Sequence, residues 1–326
     1  MKDGVYFNLP EKEYHALERF SASGIKKLLV SGPDFWASSW MNPDRKQITS
    51  DAMHAGTAYH KFILERDTFW DSYCFAFNKE DYPLALDKTE DLKARCKDMG
   101  LPVSGTKAVL SERLLEADPA IQIMENLKVE HTAKAGDKIE IKGYLYNQIK
   151  ATGELIADHP QLSMFFKGGH SEVSILWTDE ETGIPMKCRI DKTQKQFLID
   201  IKTFSNQNGK DIDKVIYDSM SNYGYCIQVA VYLDAIKYAI KMLGDKWVTV
   251  PKPAFLLVFC QSGDVSLIRG KTFGVDGLAH TYGHDKYRAG MEKFQEFYNK
   301  FGTDKWKDQE EITDLKDEEY PLWMFG

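Results

Sequence analysis

No run in this 326-residue chain approaches the ~18 apolar residues that a membrane span needs, and no basic-then-apolar signal pattern opens it. Neither a membrane protein nor a secreted precursor is expected. Its five cysteines, Cys74, Cys96, Cys188, Cys226 and Cys260, are odd in number and widely spaced. That excludes a dense disulfide framework and points to free thiols in a reducing compartment, with the cytoplasm as the expected setting. Internal repeats and low-complexity tracts are absent. An excess of positive charge is absent too, since 42 Lys and Arg face 49 Asp and Glu for a net charge of −7. Eight acids and three lysines between Thr303 and Gly326 carry −5 of it, so 303–326 reads as an acidic tail. Global charge speaks to solubility and steering, and it neither supports nor excludes a nucleic-acid partner. What is present is ordinary for a soluble globular chain, with 43% hydrophobic and 28% charged residues. The length suits one large domain or two smaller ones.

The most informative segment runs from Met186 to Thr203. Asp191 is followed nine residues later by Asp200-Ile201-Lys202, and the β-rich run Phe197–Lys202 comes after a shorter strand candidate, Pro185–Arg189. Residues two apart on a strand share a face. Asp200 and Lys202 should therefore project together, beside Asp191 at the end of the neighbouring strand. Two carboxylates so placed can hold a hard divalent cation, and an ammonium beside them can position a water and stabilise a phosphate. An ordinary surface Asp/Lys pair on a hairpin has the same sequence signature.

Other segments supply matching pieces in order. Gly56-Thr-Ala-Tyr-His60 reads as a helix with Tyr59, Phe62 and Ile63 on its apolar side, and Ser171-Glu172 opens a strand running to Trp177. Tyr225–Leu233 reads as a helix with Gln228 and Tyr232 one turn apart. This series resembles the PD-(D/E)xK nuclease superfamily, in its exodeoxyribonuclease VIII-like (RecE) and RecB-like branch, from about Tyr14 to Tyr238. Phe20-Ser21-Ala-Ser23-Gly-Ile-Lys-Lys, with Gly32-Pro-Asp-Phe-Trp36 after it, is similar to that branch's first helix. Ile190 stands where the naming proline would be.

The resemblance implies an α/β fold with a restriction-endonuclease-like core, a central mixed β-sheet flanked by helices. It implies Mg²⁺, with Mn²⁺ as a substitute, on Asp191, Asp200, His60 and the Ile201 carbonyl. Lys202 would orient or help deprotonate the attacking water, and Glu172 would serve a second metal or the water network. Gln228 and Tyr232 would touch the substrate or brace the site, with Ser23 as a further DNA contact. Part of the branch carries an iron–sulfur cluster, but cysteines so dispersed cannot converge on one, and none is expected. The implied activity is 5′→3′ exonuclease action on linear duplex DNA ends, leaving 3′ single strands for a recombination or annealing protein. A homo-oligomeric ring is implied by relatives that encircle DNA.

Within this 1–326 nuclease domain, 85–118 reads as an insertion of two short helices around a Gly100-Leu101 turn. Leu92, Cys96 and Met99 would face Val109, Leu110 and Leu114, with Ser104 near the second N-terminus. This helix-extended-helix resembles a SAP motif, in which Lys107 would meet DNA phosphate; a purely structural hairpin has the same seam. Gly136–Asp158 reads as a helix with Ile139, Leu145, Ile149, Leu155 and Ile156 buried. Phe255–Cys260 and Val265–Ile268 read as a hairpin, and Gly277–Phe301 as a closing helix. Two other functions share these features: a sequence- or structure-specific endonuclease on the same fold, and a non-catalytic SAP-type DNA-binding protein.

Overall fold

The computed structural model describes residues 1–46, 50–247, 249–307, 316–319 and 321–325. The chain divides into two compact units, Met1–His60 with Glu154–Gly326, and Lys61–Gly153. It opens with strand β1 (Gly4–Tyr6) and helices α1 (Glu11–Ala16), α2 (Ala22–Val30), α3 (Gly32–Ser38) and α4 (Asp51–Leu64). Next come α5 (Phe69–Ser72), β2 (Tyr73–Phe75), α6 (Thr89–Asp98), α7 (Lys107–Ala117), α8 (Met124–Ala135), β3 (Ile139–Ile141) and α9 (Gly143–Asp158). Strands β4 (His170–Thr178), β5 (Pro185–Thr193) and β6 (Phe197–Ser205) follow, then α10 (Ile212–Asn222) and α11 (Tyr225–Leu243). The chain then forms β7 (Ala254–Ser262), β8 (Ile268–Phe273) and α12 (Leu278–Phe301).

The first unit is built on a six-stranded sheet in the order β1-β4-β5-β6-β7-β8. Only β6 and β7 pair in parallel, so the sheet is mixed, the expected α/β, restriction-endonuclease-like architecture. The parallel pair needs a crossover, which α10 and α11 supply. Helix α11 buries Val229, Ala230, Val231, Ala235 and Ile236 completely, so it acts as a core element. Helix α12 lies so close to it that a side chain at Gly283 would meet the Cys226 carbonyl at 2.0 Å, and one at Gly290 would strike Ile25 at 2.6 Å. Overpacking of this kind typically costs about 1–3 kcal/mol, so glycine there sets the helix spacing.

The local event that creates a site is a fork. β5 and β6 share two ladder pairs, Lys192–Ile199 and Thr193–Leu198. Beyond them, the edge of β5 that would face β6 is taken by Phe20. Its amide donates to the Pro185 carbonyl and its carbonyl accepts from the Lys187 amide, each at 2.8 Å. Ser21, capping α2 by accepting from the Gly24 amide, follows directly.

Several expectations shift. β5 continues to Thr193 because its ladder with β4 does, so Asp191 lies inside the strand rather than at its end. β8 begins at Ile268, paired with Cys260, and Val265 is exposed in the loop. In the expected tail, Trp306 is 1% exposed and packs on Phe35, Phe294 and Phe297, so the fold extends past Thr303. Trp323 is exposed, and the acidic stretch 308–315 lies outside the described residues.

In the second unit, Leu92, Cys96, Leu110, Leu114 and Ile123 form a small core with Met99 against it. Val109 is 42% exposed and does not join this seam; Ile123 fills that role from beyond α7. The cap of α7 is Thr106, whose Oγ1 accepts from the Val109 amide, rather than Ser104. Residues 136–158 are not one helix. Gly136, at φ 56°, ends α8, and β3 pairs in parallel with β2 before α9 starts. Ile149 and Ile156 are buried as expected, while Ile139 and Leu155 are exposed.

Candidate metal centre

Asp191 is the hub. Its Oδ2 accepts from the Ile201 amide at 2.7 Å and lies 3.3 Å from His60 Nδ1. The fork explains the first contact, because an amide released from the β5–β6 ladder finds a carboxylate in place of a carbonyl. In an extended strand the N–H and C=O of one residue point to the same side, so the Ile201 carbonyl faces Asp191 as well. His60 comes from α4, next to the fully buried Tyr59.

Glu172 faces Asp191 from β4, between the pairs Ser171–Lys192 and Val173–Ile190. It is the one non-glycine residue with positive φ (54°) among the described residues. Holding a non-glycine residue there costs on the order of 1–3 kcal/mol, a strain that turns the carboxylate toward its neighbours. Ligand atoms of His60, Glu172 and Asp191 all lie within 4.8 Å of one another. Arg189, two residues before Asp191, approaches Glu172 at 3.5 Å.

Asp200 is 2% exposed. Its Oδ1 accepts from Gln228 Nε2 at 2.6 Å, and Lys202 Nζ lies 2.5 Å from its Oδ2. That oxygen is buried and has the Lys202 ammonium as its partner. Such an oxygen, with two carboxylates and an imidazole close by, matches the donor set of a divalent cation. The three-residue cluster includes Glu172 in place of Asp200, so Glu172 sits closer to the centre than the sequence suggests.

Charge follows this geometry. Burial disfavours a charged His60, yet Asp191 and Asp200 carry its pKa up to about 9. Burial opposes ionisation of Asp191 as well, but His60, Lys202 and the Ile201 amide hold its carboxyl below the usual range. Asp200 is pushed up by burial and by Asp191. For Lys202, burial is outweighed by Asp200 and Asp191, and the pKa rises. The two carboxylates thus favour the charged form of Lys202, a group that can orient a water and face negative charge.

Gln228 is 7% exposed and engaged with Asp200, so it braces the centre. Tyr232, one turn on, packs on Phe255, and burial keeps its phenol well above the ordinary range. Ser23 is exposed on the first turn of α2, 3.0 Å from the Ser21 hydroxyl. Lys107 belongs to the second unit, where it pairs with Glu125 at 3.6 Å.

Three neighbours escaped the sequence reading. Lys26 Nζ donates to the Tyr223 carbonyl at 2.8 Å and lies 5.6 Å from the Tyr225 ring. Burial and Lys202 lower its pKa to about 8. Lys202 Nζ lies 4.9 Å from the same ring. The signals were present in the spacing: Lys26 is one turn after Ser23, Tyr225 one turn before Gln228, and Arg189 alternates with Asp191.

No curated protein sequence matches the chain. A crystal structure of a candidate exonuclease from Eubacterium rectale aligns with 88% of this chain and 86% of its own, at 14% identity and a TM-score of 0.49, too distant to bear on activity. Residues 21–249 match the family described as "PDDEXK-like domain of unknown function (DUF3799)", a span that holds every residue of the centre. The chain belongs to this PDDEXK-like family.

Proposed function

We propose that the protein is a metal-dependent deoxyribonuclease that digests linear duplex DNA from its ends, 5′→3′, with Mg²⁺ as the resident cation and Mn²⁺ as a substitute. The observation that carries this reading is the convergence of Asp191, Asp200 and Lys202 on forked strands with His60 and Glu172 beside them. Asp191, Glu172, His60 and the Ile201 carbonyl would hold the cation, with Asp200 Oδ2 completing the set. A divalent cation there supplies Lewis-acid neutralisation of charge on the phosphate. Lys202 holds the attacking water and faces the negative charge that develops on the phosphoryl oxygens. Gln228 and Arg189 keep Asp200 and Glu172 in place.

A substrate rich in phosphate is supported by a cavity of about 230 Å³ in the same unit, despite the net charge of −7. Arg19, Lys27, Arg45 and Lys187 line it together with Ser21 and Ser23, and among the described residues no carboxylate does. Lys187 is 7% exposed and gives two of its three N–H donors to the Tyr14 and Leu17 carbonyls. In the second unit, the α6–α7 hairpin would act as a SAP-type grip through Lys107. The 3′ strands produced would pass to a single-strand annealing protein, and a homo-oligomeric ring would keep the enzyme on its track.

The test compares linear and covalently closed circular duplex in Mg²⁺, for wild type, Asp200→Ala and Lys202→Ala. Loss of 5′-end label from linear DNA with circles intact, abolished in both variants, is the expected result. Cleavage of closed circles would establish an endonuclease instead. Binding of DNA with no metal-dependent hydrolysis would overturn the enzymatic reading.

A further inference from the structure

The chain turns from α10 into α11 on Tyr223-Gly224-Tyr225. Gly224 is left-handed at φ 55°, and a Cβ there would also meet Lys26 Cδ at 3.0 Å. The turn therefore depends on glycine for both its backbone and its clearance. It brings the two tyrosine rings together, with centroids 5.8 Å apart and planes at 26°. Tyr225 is the inner ring, 8% exposed, with Lys202 and Lys26 both within reach of its face. Tyr223 is the outer ring and is 62% exposed. An open aromatic surface is thus fixed one ring away from Lys202. Lys26 is anchored to the Tyr223 carbonyl, and an ammonium so held has two further donors to offer.

Exposed tyrosines are common on protein surfaces, and exposure alone says little. Tyr217, also exposed, is covered by Lys271, itself paired with Asp213. Tyr223 differs because its turn is tied to the lysine beside Asp200. A ring next to a half-buried cation, flanking a phosphate-processing centre, has the composition of a nucleotide holder: an aromatic for the base and an ammonium for the phosphate.

We propose that Tyr223 and Lys26 form a subsite for one unpaired nucleotide of the substrate strand, the base stacked on Tyr223 and its phosphate taken by Lys26. The proposal rests on the deoxyribonuclease reading and narrows its substrate. Inside the duplex both faces of a base are covered, and the terminal pair opens one face across both strands at once, so a ring that holds a single base beside its own phosphate takes an unpaired nucleotide, frayed or in an overhang. Ends with a short single-stranded overhang are preferred over blunt ends.

The test uses full-length protein, with Ca²⁺ in place of Mg²⁺ to hold turnover, and duplexes carrying 2-aminopurine in a short overhang. Wild type, Tyr223→Phe, Tyr223→Ala and Lys26→Gln are compared by 2-aminopurine fluorescence and binding affinity. Tyr223→Phe should behave as wild type. Tyr223→Ala should lose the fluorescence change and weaken overhang binding on the order of 10- to 100-fold, with only a small fall in melting temperature, since the ring is 62% exposed and gives up its contact with Tyr225. Lys26→Gln should reduce the salt dependence of binding by about one phosphate contact. Wild-type fluorescence and affinity in Tyr223→Ala would overturn the subsite, as would equal losses in Tyr223→Phe and Tyr223→Ala. A Tyr223-dependent signal without hydrolysis in Mg²⁺ leaves the subsite standing and overturns the nuclease reading. Hydrolysis without a Tyr223-dependent signal does the reverse.

Discussion

Asp191 offers the sharpest separation of a structural role from a chemical one. Its Oδ2 serves the Ile201 amide at 2.7 Å and His60 at 3.3 Å, and the residue is 7% exposed. Asp191→Ala leaves a buried amide unsatisfied and breaks a buried ion pair, which together cost about 3–5 kcal/mol. Asp191→Asn keeps an oxygen for the Ile201 amide and removes only the charge, costing about 1–2 kcal/mol. In a unit of this size each kcal/mol moves the melting temperature by about 2–4 °C. The alanine variant should therefore melt about 6–20 °C below wild type and the asparagine variant about 2–8 °C below. Both should lose Mn²⁺ binding in titration calorimetry, since neither retains the carboxylate. Melting curves from circular dichroism without metal, beside the calorimetry, give both readouts on one preparation. An alanine variant melting within about 2 °C of wild type would refute the reasoning, because the carboxylate would then not be holding the fork together.

Three further outcomes are expected. Glu172→Gly relieves a positive φ that costs on the order of 1–3 kcal/mol, offset partly by glycine's entropy and the lost Arg189 contact. Its melting temperature should rise by about 1–4 °C while Mn²⁺ affinity falls, and a fall in both would show that φ stores no strain. Arg288 lies 2.9 Å from the nearly buried Asp179, whose carboxyl is held low because this contact and Thr182 outweigh burial. That contribution is present above the ordinary carboxylate range and is lost as pH falls through the depressed value. Arg288→Ala should thus cost about 1.5–3 kcal/mol near pH 7, with the gap to wild type closing below about pH 4; a gap constant from pH 7 to pH 3 in urea melts would count against it. Lys107→Ala, breaking only an exposed pair with Glu125, should leave stability unchanged within about 0.5 kcal/mol. It should flatten the salt dependence of duplex binding by about one contact, and an unchanged slope would remove the α6–α7 hairpin from the DNA interface.

Much of this centre was legible because strand alternation is a local rule. Asp200 and Lys202 had to share a side, and the spacing back to Asp191 matched a hairpin. Whether the Ile201 amide would turn to a carboxylate depended on how far the β5–β6 ladder ran, and that was decided by Phe20 occupying the edge of β5. Lys26 and Tyr225 approach Lys202 only after α2 and α11 have packed. Glu172 appeared as a strand residue of uncertain role, since its left-handed backbone leaves no trace in residue type. In the second unit the three-residue β3 was too short to break the apolar pattern of a helix, and Val109 gave way to Ile123, which joins the seam from outside the expected segment.

The fork also bears on when the centre comes into being. Lys187 bonds a carbonyl 173 residues away, and Gln228 reaches back 28 residues to Asp200. Contacts of such separation carry the entropy of closing long loops before they return any enthalpy. During synthesis, β5 and β6 emerge with Asp191, Asp200 and Lys202 already in sequence register, but α11 and its Gln228 follow later. A partly made chain therefore holds every ionisable group of the centre before the Gln228 amide that braces Asp200 is present. That brace, and with it the buried setting of Asp200, is completed only when α11 docks.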